Sequence, residues 1–138
     1  MLRISNNCGE KAYLQNTAVE YCLPIIRDAI VEMTQKDPSR FADSSKPFHI
    51  ADFGSADGVN FAPILKMIIS YCRENNPSLQ IKVTVQDLPG SDMTKLLKNV
   101  NAAVGEIENV FVYCQAKSFY EPLFPANDVD LFICGSAI

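Results

Sequence analysis

The order of apolar stretches along this 138-residue chain predicts an α/β fold built on a parallel sheet. Two observations carry that expectation. Short stretches rich in β-branched residues alternate with longer ones of helical spacing, and the junctions between them hold glycine, proline and asparagine. Strand, helix, strand in succession is the βαβ unit, whose crossovers are right-handed, so about four strands are expected, with the first and last side by side.

From Val19 to Met33 the apolar residues fall at 19, 22, 23, 26, 30 and 33, the spacing of an amphipathic helix. Pro24 lacks the N–H a helix interior needs, so the helix is expected to begin just before it or to kink there. Lys36 to Pro47 reads as a surface connection. Pro47 to Phe53 reads as the first strand, closed by the turn Gly54-Ser55-Ala56-Asp57-Gly58. A helix with apolar positions 61, 64, 65, 68, 69 and 72 follows and ends at Asn75-Asn76-Pro77. Gln80 to Gln86 reads as the second strand. Asp87-Leu88-Pro89-Gly90 then turns the chain into a second helix, with Met93, Leu96, Leu97 and Val100 on one face. Val110 to Cys114 and Val129 to Cys134 supply two more apolar runs.

Composition narrows the function. The chain is 48% hydrophobic and 20% charged with mean hydropathy +0.03, the profile of a globular domain. A net charge of −4 offers no basic field for nucleic acid or anionic lipid, which points to a small or neutral partner. The five cysteines include no CxxC pair and the single histidine is His49, so neither a zinc centre nor a disulfide framework is signalled. No signal-peptide core or membrane span is visible, and a cytoplasmic setting is expected.

The turn after the first strand is the candidate site, because ligands of open α/β sheets bind at the carboxyl ends of the strands. Its spacing is GxxxG rather than the GxGxxG of dinucleotide sites, and Asp57 opposes a pyrophosphate. The carboxylates of Asp52 and Asp57 instead favour a cationic sulfonium ligand with an α-amino group. Asp87, ending the second strand, is placed to accept hydrogen bonds from both ribose hydroxyls of an adenosyl group, with Leu88 against the adenine. The plainer alternative is that Asp52 caps local N–H groups and that residues 87–90 form only a turn.

As a string, these segments resemble the SABATH family, plant methyltransferases that form methyl esters of small carboxylic acids or N-methylate xanthines. Gly9 to Thr17 (GEKAYLQNT) is similar to the family's opening G-E-x-S-Y-x-x-N-S, and Ile50 to Asn60 (IADFGSADGVN) to I-A-D-L-G-C-S-S-G-P-N. Gln86 to Asp92 (QDLPGSD) resembles N-D-L-P-G-N-D, and residues 118–125 resemble S-F-Y-x-x-L-F-P. The resemblance implies a Rossmann-like class I methyltransferase fold and S-adenosyl-L-methionine as cofactor. It implies that Tyr13 and Thr17 close over the cofactor and that Asp52, Gly54 and Asn60 hold its methionine end. Asp87 and Leu88 would then bind the ribose and adenine, with Ser118 and Phe119 packing from the other side. Each has a structural alternative: Tyr13 and Phe119 as core aromatics, Asn60 as a helix-start residue.

The departures are specific. Where the family carries glutamine facing a substrate carboxylate, this chain has Glu20, which makes it the expected substrate-binding residue but would repel a carboxylate unless one of the two is protonated. Ser55 and Ala56 are small-for-small changes, whereas Asp57 adds a charge. The pattern also continues in the family with a substrate-facing tryptophan and a cap. Residues 1–138 are therefore expected to be the N-terminal, cofactor-binding part of a methyltransferase domain, inactive on its own. A small-molecule methyl acceptor is the expected partner, no membrane is, and a homodimer is left open. No acid–base residue is obligatory for transfer from a sulfonium, so no catalytic side chain is assigned, and His49 is expected to be a packed residue. A nicotinamide-dependent enzyme is the disfavoured alternative. A noncatalytic adenosyl-binding or partner-binding fragment is the other.

Overall fold

The computed structural model describes residues 8–134, and the side chains of residues 19–134. Its order is α1 (Cys8–Lys36), α2 (Pro38–Ala42), β1 (Phe48–Phe53), α3 (Phe61–Asn75), β2 (Ile81–Asp87), α4 (Met93–Val104), β3 (Val110–Ala116) and β4 (Leu131–Ile133). The four strands form one sheet in the order β3-β2-β1-β4, every pair parallel. β1 and β4 are neighbours, as the βαβ reading expects.

Two expectations are corrected. α1 begins well before Val19, so it does not start at Pro24, which lies inside the helix with its ring exposed. The residues of that apolar spacing pack on the core, through Leu23, Ile26, Ile30 and Met33. Within the stretch read as a plain connection, α2 forms because Asp37 caps Arg40 N at 3.3 Å and Pro38 presets the first turn. Its buried Phe41 packs against Phe48, ring centroids 5.0 Å apart.

Strand alternation divides the sheet into two faces. One carries Phe48, Ile50, Ile81, Val83, Val85 and Ile133, which share a core with Ile64, Leu65, Ile68 and Ile69 of α3 and with Leu96 and Val100 of α4. The other carries His49, Phe53, Thr84, Gln86 and Phe132. Residues 117–130 cross this second face, laying Phe124 edge-on to His49 at 5.3 Å. Phe111, Tyr113 and Phe132 are exposed on it.

An ion pair fastens the end of the sheet remote from the glycine turn. Arg40 grips Asp130 through Nε and Nη2 at 2.6 and 2.7 Å, and Asp130 also accepts from His49 N at 2.8 Å. Arg40 further donates to the carbonyls of Lys46 and Pro47, joining α2, the entry to β1 and the entry to β4.

Candidate functional site

The carboxyl ends of β1, β2 and β3 bring most of the sequence-predicted site residues onto one ledge. Asp52 is level with Val85 in the β1–β2 register, and Asp87 lies two residues further along β2. Both aspartates therefore project from the same face of the sheet, their Cα atoms ~8 Å apart by strand geometry.

Asp52 is 6% exposed, and burial pushes its carboxyl up to about 7. Ser55, whose hydroxyl donates to the Asp52 carbonyl at 3.0 Å, pulls the other way, and the negative charge of Asp87 adds to the rise. A carboxyl in that state is poised to ionise when a cation arrives.

The turn after β1 leaves the strand through Gly54, with φ of 67°, and Ala56 also takes a left-handed conformation, φ 53°. Ala56 N donates to Asp87 Oδ2 at 2.9 Å, and Leu88 N donates to Asp87 Oδ1 at 2.8 Å. An ionised carboxylate offers about four acceptor sites, so one on each oxygen remains beyond these two bonds. Asp87 thus ties the turn after β1 to the end of β2 and keeps capacity for a diol. Asp57 is occupied locally: its Oδ1 accepts from Val59 N at 3.1 Å and its carbonyl from Asn99 Nδ2 at 2.8 Å.

Gly58 serves packing within the fold. A Cβ there would lie 2.8 Å from Val100 Cγ2 and 3.0 Å from Leu96 Cδ1, so this glycine lets α4 pack against the turn. Asn60 occupies the N-cap position of α3 but makes no capping hydrogen bond with its side chain. Leu88 is 55% exposed beside Asp87.

Beyond β3, Ser118 Oγ accepts from Tyr120 N at 3.3 Å, and the half-buried Phe119 stacks on Phe53, centroids 6.0 Å apart and planes 12° from parallel. Glu20 is exposed on α1, and among the described contacts none joins it to the strand ends. The side chains of Tyr13 and Thr17 lie outside the described residues.

Sequence reading missed Gln86. Its side chain is 1% exposed, with Oε1 accepting from Gly54 N at 2.9 Å and Nε2 donating to the Lys117 carbonyl. The available signal was a long polar residue closing an apolar strand.

His49 is buried, as expected, its ring between Thr84 Oγ1 at 2.7 Å and the Asp128 carbonyl at 3.1 Å; burial is the main cause that lowers its pKa. Cys72 is buried and its thiol is pushed up to about 12, whereas Cys114 is exposed. No cluster fit for a metal ion occurs among the described residues, and no described helix is long and apolar enough to cross a membrane.

Residues 6–138 match the family of SAM-dependent carboxyl methyltransferases. A probable caffeine synthase 4 of Camellia sinensis is 30% identical over 138 residues, covering 89% of this chain and 37% of that protein. The O-methyltransferase acrG of Aspergillus aculeatus is 31% identical over 120 residues, covering 86% of this chain and 31% of that protein. The chain thus spans about a third of the length of the relatives it matches. Among solved structures, a loganic acid methyltransferase with SAH superposes with a TM-score of 0.76 at 20% identity, over 97% of this chain and 39% of that one, a likeness of fold.

Proposed function

This chain belongs to the SAM-dependent carboxyl methyltransferase family, the SABATH type its motifs resemble, and on that premise we propose that it is the cofactor-binding part of an enzyme that methylates a small-molecule carboxylate or nitrogen. The observation that carries the proposal is the pair of strand-end aspartates. Asp52 and Asp87 share a face on adjacent strands, one buried and poised to ionise, the other with an acceptor site left on each oxygen.

Those groups fit the two ends of S-adenosylmethionine. Asp52 would meet the methionine ammonium, with the Asn60 amide and the Gly54 backbone beside it. Asp87 would accept from both ribose hydroxyls, with the exposed Leu88 offering an apolar surface to the adenine and Ser118 and Phe119 flanking it. When bound, the cofactor supplies a methyl group already activated by its sulfonium. The chain's part is then orientation, which can contribute up to ~7–11 kcal/mol when reactants are held in line. Tyr13 and Thr17 are proposed to close over the cofactor, and Glu20 to face the acceptor. A carboxylate acceptor is already ionised at neutral pH, whereas a nitrogen acceptor that must lose a proton would have a partner in Glu20.

Calorimetric titration separates this reading from a nicotinamide-dependent one. Saturable binding of S-adenosylhomocysteine with none of NAD is expected. The reverse pattern contradicts the proposal, and binding of neither would favour a noncatalytic fragment.

A further inference from the structure

We propose that Gln86 is a positioning residue that fixes the width of the cofactor site, by tying the turn after β1 to the segment after β3 through one buried amide. The inference rests on the proposed function, since it concerns how that same site is held.

Gln86 pairs with Phe53 of β1 and Gln115 of β3, so it sits in the central strand of the three that end at the site. Above that level the ladder runs out: Gly54 turns away with positive φ, and the bond from Lys117 N to the Asp87 carbonyl at 3.1 Å is the last rung toward β3. The Gln86 side chain takes over there. Its carbonyl oxygen receives Gly54 N at 2.9 Å and its amide nitrogen donates to the Lys117 carbonyl. One terminal group thus satisfies a donor on one side and an acceptor on the other, which a carboxamide does without a net charge at any pH. Its backbone adds to the grip on the turn, because Ser55 N donates to the Gln86 carbonyl at 2.9 Å and Gln86 N donates to Ser55 Oγ at 3.3 Å.

The two tied segments carry opposite sides of the proposed site: Gly54 and Asn60 on one, Ser118 and Phe119 on the other. Gln86 projects from the face opposite Asp52 and Asp87, so it braces the ledge from behind. The resembling motif has asparagine here, one methylene shorter, so this span is set by the residue this chain carries.

Gln86→Glu tests the link at nearly constant shape. The introduced carboxyl keeps an acceptor for Gly54 N, but when ionised it sets an oxygen against the Lys117 carbonyl; only its protonated form can donate there. S-adenosylhomocysteine would be titrated into wild type, Gln86→Glu and Gln86→Leu at about pH 8 and about pH 5.5, and affinities compared as ratios to wild type at each pH. The ratio to wild type at each pH removes the pH dependence that the three proteins share, and the Lys117 ammonium is engaged by the Pro122 carbonyl at 3.0 Å. Gln86→Glu is expected to bind about tenfold or more weakly at the higher pH and to recover to within about threefold at the lower, while Gln86→Leu stays weak at both. Folded variants with wild-type affinity overturn the inference, and so does an equal, pH-independent loss in both.

If neither variant folds, the wild-type chain decides by NMR. Slow solvent exchange of the Gly54 N–H and the Gln86 carboxamide protons supports the link, and fast exchange overturns it. Absence of S-adenosylhomocysteine binding by the wild-type chain would overturn the proposed function, and the exchange rates would then judge the link alone.

Discussion

Asp52 sets the electrostatics of the site, because burial keeps its carboxyl near about 7 rather than in the ordinary carboxylate range. A ligand ammonium prefers the ionised form. Binding of S-adenosylhomocysteine should therefore strengthen as pH rises through about 7 and release a proton below it, and Asp52→Asn should flatten that profile while weakening binding. Proton release is read by calorimetry in buffers of different ionisation enthalpy. The same shift has the opposite effect on the free chain. A raised carboxyl pKa contributes stability below its unfolded value of 3.8, and that contribution is lost as pH climbs through about 7. Asp52→Asn should accordingly stabilise the unliganded chain at about pH 8, by up to about 4 kcal/mol, measured by urea unfolding. The positions of Asp52 and Asp87 were legible because the end of a strand and the start of a turn can be read from apolar runs and glycines. The lone pairs each carboxylate has left are not legible, since they depend on which neighbouring N–H groups the fold delivers. Gln86 stayed hidden for the same reason: its meaning comes from Gly54 and Lys117, 32 and 31 residues away.

At the scale of elements, the turn and α4 are built as a unit. Gly58 has φ of 80° and no room for a Cβ beside Val100 and Leu96, so Gly58→Ala meets both backbone strain and a side-chain clash. A loss of about 2–4 kcal/mol is expected in chemical denaturation, with Val100 and Leu96 shifted. An unchanged midpoint would mean that α4 packs elsewhere. α3 and α4 were legible because their buried residues, Ile64, Leu65, Ile68 and Ile69 in one and Leu96 and Val100 in the other, repeat at helical spacing. α1 was only half legible: the apolar stripe from Val19 to Met33 marks the stretch whose described side chains pack on the core, whereas the helix itself begins at Cys8. α2 was missed because five residues are too few for periodicity and its local signals, Asp37 and Pro38, read equally as breakers; Phe41 against Phe48 and Arg40 against Asp130 hold it in place.

For the molecule as a whole, the order β3-β2-β1-β4 brings three strand ends together at one ledge and sends residues 117–130 back across the second face. Right-handed crossovers put α3 and α4 on one side of the sheet, which leaves the aromatic side chains of Phe111, Tyr113 and Phe132 exposed on the other. Alternation of strands and helices predicts this topology; which face stays open depends on the return from β3 to β4, a stretch of turns without periodicity. The central claim is that two aspartates on adjacent parallel strands hold one S-adenosylmethionine between them. Titrating S-adenosylhomocysteine into wild type and Asp87→Ala, with far-ultraviolet circular dichroism confirming that both are folded, tests it most directly. The account predicts that the substitution weakens binding by about 1.5–3 kcal/mol, roughly ten- to 150-fold. Equal affinities for the two folded proteins would contradict it.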